Sequence, residues 1–112
     1  MANAFKLKTF TGTSTAANTA MSIYTCPAST ETTIIGMTVS NIISSQVLVT
    51  VKLENSDGDN ITLLNKAPVA VGGALVPIGG DQKIVLEASD VITVTSDTAN
   101  SVDTALSILE IS

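Results

Sequence analysis

Val47–Glu54, VLVTVKLE, is the clearest alternating run in the chain, with Val47, Val49, Val51 and Leu53 on one face and Thr50, Lys52 and Glu54 on the other. A period of two places successive side chains on opposite faces of an extended chain, which no helix does. The run ends in Asn55–Asn60, NSDGDN, where Asp57-Gly58 suits the positive φ values of a tight hairpin turn. Ile61–Leu64 then returns as the partner strand. A chain carrying this signal at its centre is committed to antiparallel sheet.

Further short β-type runs flank it: Phe5–Phe10, Met21–Thr25, Thr32–Asn41, Ala74–Ile78, Lys83–Glu87, Val91–Ser96 and Thr104–Ile111. Between them lie turn residues, such as Pro27 after Cys26, the Gly79-Gly80-Asp81 run, and Asp97–Asp103. Pro77 confines Ala74–Ile78 to a sheet edge or a strand end. In Thr32–Asn41 the alternation assigns Ile35, Met37 and Val39 to the inner face. Val85, Leu86, Ile92 and Val94 are expected in the core. Lys6 and Lys8 share a face of the first strand and read as a solvated face or as charges guarding an edge. Thr11–Ala20, TGTSTAANTA, has no periodicity and reads as a loop or an extended arm. The last strand has Leu106 and Ile108 on one face and Leu109 and Ile111 on the other, so both faces of its end are expected to be covered. The expected fold is all-β: a single domain over residues 1–112, built as a two-sheet sandwich of about eight strands, jelly-roll or immunoglobulin-like, with residues 1–20 as a strand and arm.

Charge narrows the functions. Five lysines stand against ten acidic residues, a net charge of −5, so nucleic acid and anionic membranes are poor partners. Charged residues make up only 13% of the chain, whereas an isolated soluble domain usually coats itself with them. A surface of Thr, Ser, Asn and Ala suits contact with other subunits. No stretch approaches the ~20 apolar residues of a membrane-spanning helix. The lysines of MANAFKLKTF are not followed by a signal-like apolar run, so synthesis in the cytoplasm is expected.

The chain has no His and one cysteine, Cys26. Ser/His and Cys/His nucleophile pairs are therefore impossible, the usual zinc sites are absent, and Cys26 reads as a buried apolar thiol. Asp57, Asp59 and Asn60 have the oxygens for a hard cation but lack EF-hand spacing, and Asp57, Asp59, Asp81 and Asp90 all fall where turns favour Asp. Asn60-Ile61-Thr62 matches a glycosylation sequon by chance. Aromatics at 3% do not provide the platforms of a sugar-binding site. No catalytic residue, metal or cofactor is expected.

Asn41, Ser45-Gln46-Val47, Pro68-Val69, Gly73, Leu75, Lys83, Val85-Leu86-Glu87, Asp90, Ile92, Val94, Ser96 and the ending Leu106-Ser107-Ile108-Leu109-Glu110-Ile111 resemble the small β-sandwich virion proteins of tailed bacteriophages. The resemblance spans roughly residues 33–112 and departs at Ser89, where the pattern has Gly. It implies a structural, non-enzymatic role in the virion, such as capsid decoration or cementing. The expected partners are copies of the chain itself, as a homo-oligomer such as a trimer, and the major capsid protein or another virion protein. A neck, tail or fibre component is the alternative, and a soluble adhesion or ligand-binding module is an alternative of another class. The candidate assembly contacts are Thr11, Thr13, Ala16 and Asn18 on the arm, with Leu109 and Ile111 on the last strand.

Overall fold

A computed structural model describes residues 3–12, 16–79 and 83–112. Among them are nine strands: β1 (Asn3–Phe10), β2 (Met21–Thr25), β3 (Glu31–Asn41), β4 (Val47–Glu54), β5 (Asn60–Val69), β6 (Ala74–Ile78), β7 (Ile84–Leu86), β8 (Val91–Ser96) and β9 (Val102–Ile111). Their pairing is nested and antiparallel. β4 pairs β5 across the Asp-Gly turn, β3 pairs β6 and β7, β2 pairs β8, and β1 pairs β9. The result is a long two-stranded ribbon whose tip is Asn55–Asn60. Rolling this ribbon up brings β9 against β3 and β8 against β4. One sheet then runs β1-β9-β3-β6, with β7 in line with β6 along β3, and the other runs β2-β8-β4-β5. Of the two expected topologies this is the jelly roll.

The inner faces meet in an aliphatic core. Ile34, Met37, Val39, Ile78, Leu86, Leu106 and Ile108 come from the five-stranded sheet, and Val47, Val49, Val51, Val69, Ile92 and Val94 from the four-stranded one, all fully buried. Two core assignments from the sequence are corrected. In β3 the register with β9 shifts between Ile34 and Gly36, so Ile34 points inward and Ile35 takes the bulge, restoring the phase at Met37. In β7 the neighbours Val85 and Leu86 cannot both face the core, because successive side chains alternate. Leu86 is buried and Val85 is 61% exposed.

Buried polar side chains organise the turns. Asn41 accepts from the Ile43 N–H at 2.9 Å and donates to the carbonyls of Ser45 at 2.7 Å and Val69 at 3.1 Å, which holds the β3–β4 connection over the end of β5. The Asp90 carboxylate accepts from the Ser56 and Glu87 N–H groups, each at 2.9 Å. It ties the β4–β5 tip to the β7–β8 turn. Burial pushes its pKa up, but these two donors outweigh burial and hold it below the usual carboxylate range. Ser89, the point of departure from the resemblance, has φ 74°, the left-handed region that glycine enters without strain. The turn closes nonetheless, with Asp90 N–H donating to Glu87 O at 3.0 Å and Ser89 N–H to Cys26 O at 2.9 Å.

Candidate assembly surface

β1 is an edge strand, and of the two readings of its lysines the structure favours charges guarding an edge over an outer solvated face. Register with β9 sets Lys6 opposite Ile108 and Lys8 opposite Leu106, whereas Phe5 lies opposite Leu109 and Leu7 opposite Ser107. Ile108 and Leu106 are core residues, so the lysines lie on the inner side of the sheet. Phe5 and Leu7 face outward, 77% and 67% exposed. The lysine face is therefore not a solvated outer face.

A polar chain at the rim of the core accounts for this orientation. Lys6 Nζ lies 2.8 Å from Glu110 Oε1, and the Tyr24 hydroxyl donates to Glu110 Oε2. Tyr24 and Thr32 hydroxyls are 2.9 Å apart, and Thr32 Oγ1 lies 3.3 Å from Cys26 Sγ. With the Tyr24 proton given to Glu110, Thr32 is the donor of its pair with Tyr24. Lys6, then Tyr24, hold the Glu110 carboxyl below the usual range against the opposing effect of burial. Burial, then Glu110, push the Tyr24 phenol well above its ordinary value. Tyr24 stays neutral and a donor, so the chain of contacts joins β1 and β9 to β2 and β3 across the sandwich. Cys26 is buried beneath it and is closed to reagents.

The face opposite the core is consequently unusual. Its rows run Phe5–Leu109–Thr33–Val85, Leu7–Ser107–Gly36 and Thr9–Ala105–Thr38, with Asn3, Ile111 and Glu31 at one end and Asp103 and Ser40 at the other. Beside the apolar end, Thr9, Phe10, Thr38, Ser40, Asp103 and Ala105 line a hollow of about 350 Å³. The outer face of the other sheet differs: Ser22, Thr93, Lys52 and Thr62 lie in one row, and Thr50 and Thr95 in another. That face is dressed for water.

The residues singled out from sequence fall at two ends. Leu109 and Ile111 are half-buried on the outer face, beside Phe5 and Asn3. Thr11 lies on the rim of the hollow, about 27 Å from Ile111 along β9 at ~3.4 Å per residue. Thr13 lies outside the described residues. Ala16 and Asn18 are exposed, but the segment does not extend away as an arm in its described part. Gly12 N–H donates to Asp103 Oδ1 at 2.7 Å and Asn18 N–H to Ser96 O at 2.7 Å, so both sides of it are tied to the chain's own strands. Phe5, Leu7, Tyr24 and Glu110 were not named as candidate contacts, and Val85 was assigned to the core instead. The signal for Glu110 was its parity: it continues the Leu106, Ile108 face, so a carboxylate had to point inward and find a cation.

Asp57 N–H donates to Asn55 Oδ1 and Gly58 N–H to Asn55 O, each at 2.9 Å, so Asn55 builds the hairpin turn. Among the described residues no group of His, Cys, Asp and Glu is arranged to hold a metal ion.

No protein-family description and no curated protein matches the chain. Solved structures similar to it include the following two. One is a chain from Bacillus endospore appendages, a family of disulfide-linked pili, 17% identical, covering 97% of this chain and 84% of that one, with a TM-score of 0.50. The other is from the acid-stable capsid of the Helicobacter pylori bacteriophage KHP30, 10% identical, covering 100% and 94%, with a TM-score of 0.50. At these identities the likeness is one of fold: the jelly-roll sandwich of this chain is shared with chains of a pilus and of a phage capsid.

Proposed function

We propose that this chain is a non-enzymatic structural protein of a tailed-phage virion, a decoration or cement subunit that associates with its own copies and with the major capsid protein. The observation that carries the proposal is the outward orientation of Phe5 and Leu7 beside Leu109 and Val85. Apolar area left in water is unfavourable by about 25 cal/mol per Å², and contiguous apolar patches on a protein surface mark contact sites. The likeness of fold to a phage capsid chain and the resemblance of residues 33–112 to virion proteins agree with this reading. Thr11, Ala16 and Asn18, at the far end, supply a second set of contacts to the particle. Linkage through disulfides, as named for the Bacillus pili, is not supported here, because the single cysteine is buried.

The test is binding. Leu109→Ser with Ile111→Ser should leave a folded subunit that no longer co-sediments with particles lacking the protein. Imaging the wild-type chain on a purified particle should place it on the head. A position on the neck, tail or fibre would correct the assignment, and a wild-type chain that binds no particle component would refute it.

A further inference from the structure

From the outer face of the five-stranded sheet we infer that its occupant is a second copy of this chain, packed face to face about a two-fold axis lying across the strands at the Leu7–Ser107–Gly36 row. The inference deepens the proposed assembly role and rests on it for the choice of surface. The face carries both halves of a contact. Phe5 projects two residues to one side of Leu7, and the hollow lined by Thr9, Thr38 and Ala105 opens two residues to the other side. A half-turn about the central row exchanges these two positions. The Phe5 ring of each copy then enters the hollow of the other, as a self-complementary two-fold contact requires.

The size of the face fits such a pair. The face extends about 27 Å along the strands and about 15–20 Å across them at ordinary strand spacings. That footprint of roughly 400–500 Å² per copy gives about 1,000 Å² in total once side-chain relief is included, the lower end for a specific interface. In the paired rows of β1, β9 and β3 the charged side chains are Glu31 and Asp103, at opposite ends. The half-turn brings Glu31 of one copy toward Asp103 of the other, at the rim. These like charges repel weakly, so added salt should tighten the pair, the reverse of an association driven by opposite charges.

Light scattering of the purified chain at rising concentration should therefore show a species of twice 11.4 kDa. Thr38→Arg, an exposed position in the hollow, and Phe5→Ser with Leu7→Ser should each weaken the pair by about ten-fold or more. Both should keep the β-type circular dichroism of the wild type. Leu7→Cys, next to the axis, should join two chains and no more through a short thiol-specific cross-linker, with buried Cys26 silent in the parent. A chain that stays at 11.4 kDa into the millimolar range, a pair indifferent to Thr38→Arg, or cross-linked ladders beyond two chains would overturn the inference. A monomer that still binds particles would end the self-pairing but keep the particle role, whereas a dimer that binds none would do the reverse.

Discussion

Replacing Asp90 tests how the two ends of the ribbon are joined. Its carboxylate, buried at 5% exposure, receives the Ser56 and Glu87 N–H groups at 2.9 Å each. A hydrogen bond to a charged group contributes about 1.5–3 kcal/mol. Ser56 and Glu87 are themselves exposed, so water reaches the freed donors and the lower end applies. Asp90→Ala should therefore lower unfolding stability by about 2–4 kcal/mol in urea titration, or roughly 10–20 °C in Tm for a domain of this size. Asp90→Asn, which keeps one acceptor oxygen, should lose less. The pH dependence gives a second reading. Because the folded-state pKa is depressed, the stabilisation is full above the unfolded value of ~3.9 and fades as pH falls through the folded value. The wild-type and Asp90→Ala curves should converge in acid. A loss under about 0.5 kcal/mol at pH 7, or a gap that stays constant into acid, would refute the reasoning.

Gly12 faces the backbone of β9, where an added Cβ would lie 2.0 Å from the Val102 carbonyl oxygen, so Gly12→Ala should destabilise by about 1–3 kcal/mol or more in the same titration. Ser89→Gly should raise stability by about 0.5–1 kcal/mol, since relief of the left-handed conformation exceeds the added unfolded-state entropy; an unchanged Tm would show the strain to be absent. Val94→Ala, at a fully buried site, should lose about 1–3 kcal/mol through lost burial and a residual cavity. Glu110→Gln should remove part of the acid sensitivity, because the Glu110 carboxylate stabilises the fold above its unfolded value of ~4.3 and ceases to as pH falls through its lower folded value.

The strand pattern was legible because antiparallel sheets with one wet face write it twice, in alternation and in turn residues. Val47–Glu54 and its Asp-Gly turn appear as read, and the expected β-runs are all strands. Two kinds of error came from geometry that alternation does not encode. The bulge at Ile35 adds one residue to one strand and flips every face beyond it, and no residue type announces it. β7 holds three residues, too few to establish a phase, so Val85 and Leu86 could not be separated by pattern. The choice of jelly roll over immunoglobulin topology depends on which distant strands pair, which local sequence does not carry. The outward position of Leu109 and Ile111 was legible because they alternate with Leu106, Ile108 and the rest of the inner face. Phe5 and Leu7 were not, because the two faces of an edge strand look alike until the partner of Lys6 is known.

That partner also bears on how the chain can associate. Sheets can join other sheets along their edges, and here the edge strands β1, β2, β5 and β6 are obstructed. β1 turns Lys6 and Lys8 inward, β2 is bulged between Ser22 and Tyr24, β5 carries Pro68 and a left-handed Lys66, and β6 carries Pro77 beside a register shift. Inward charges, bulges and prolines are the devices that stop strand addition. With edge pairing suppressed, the route left for a β-sandwich is packing through a face, and only one of the two outer faces is apolar. Lys6 serves both ends at once: by reaching Glu110 it places a charge on the inner side of the edge, and by the strict alternation of the strand it sends Phe5 and Leu7 outward. The orientation of the proposed assembly surface is thus set by a buried carboxylate two strand positions beyond Ile108, and any change that frees Lys6 from it acts on that face as well as on the core.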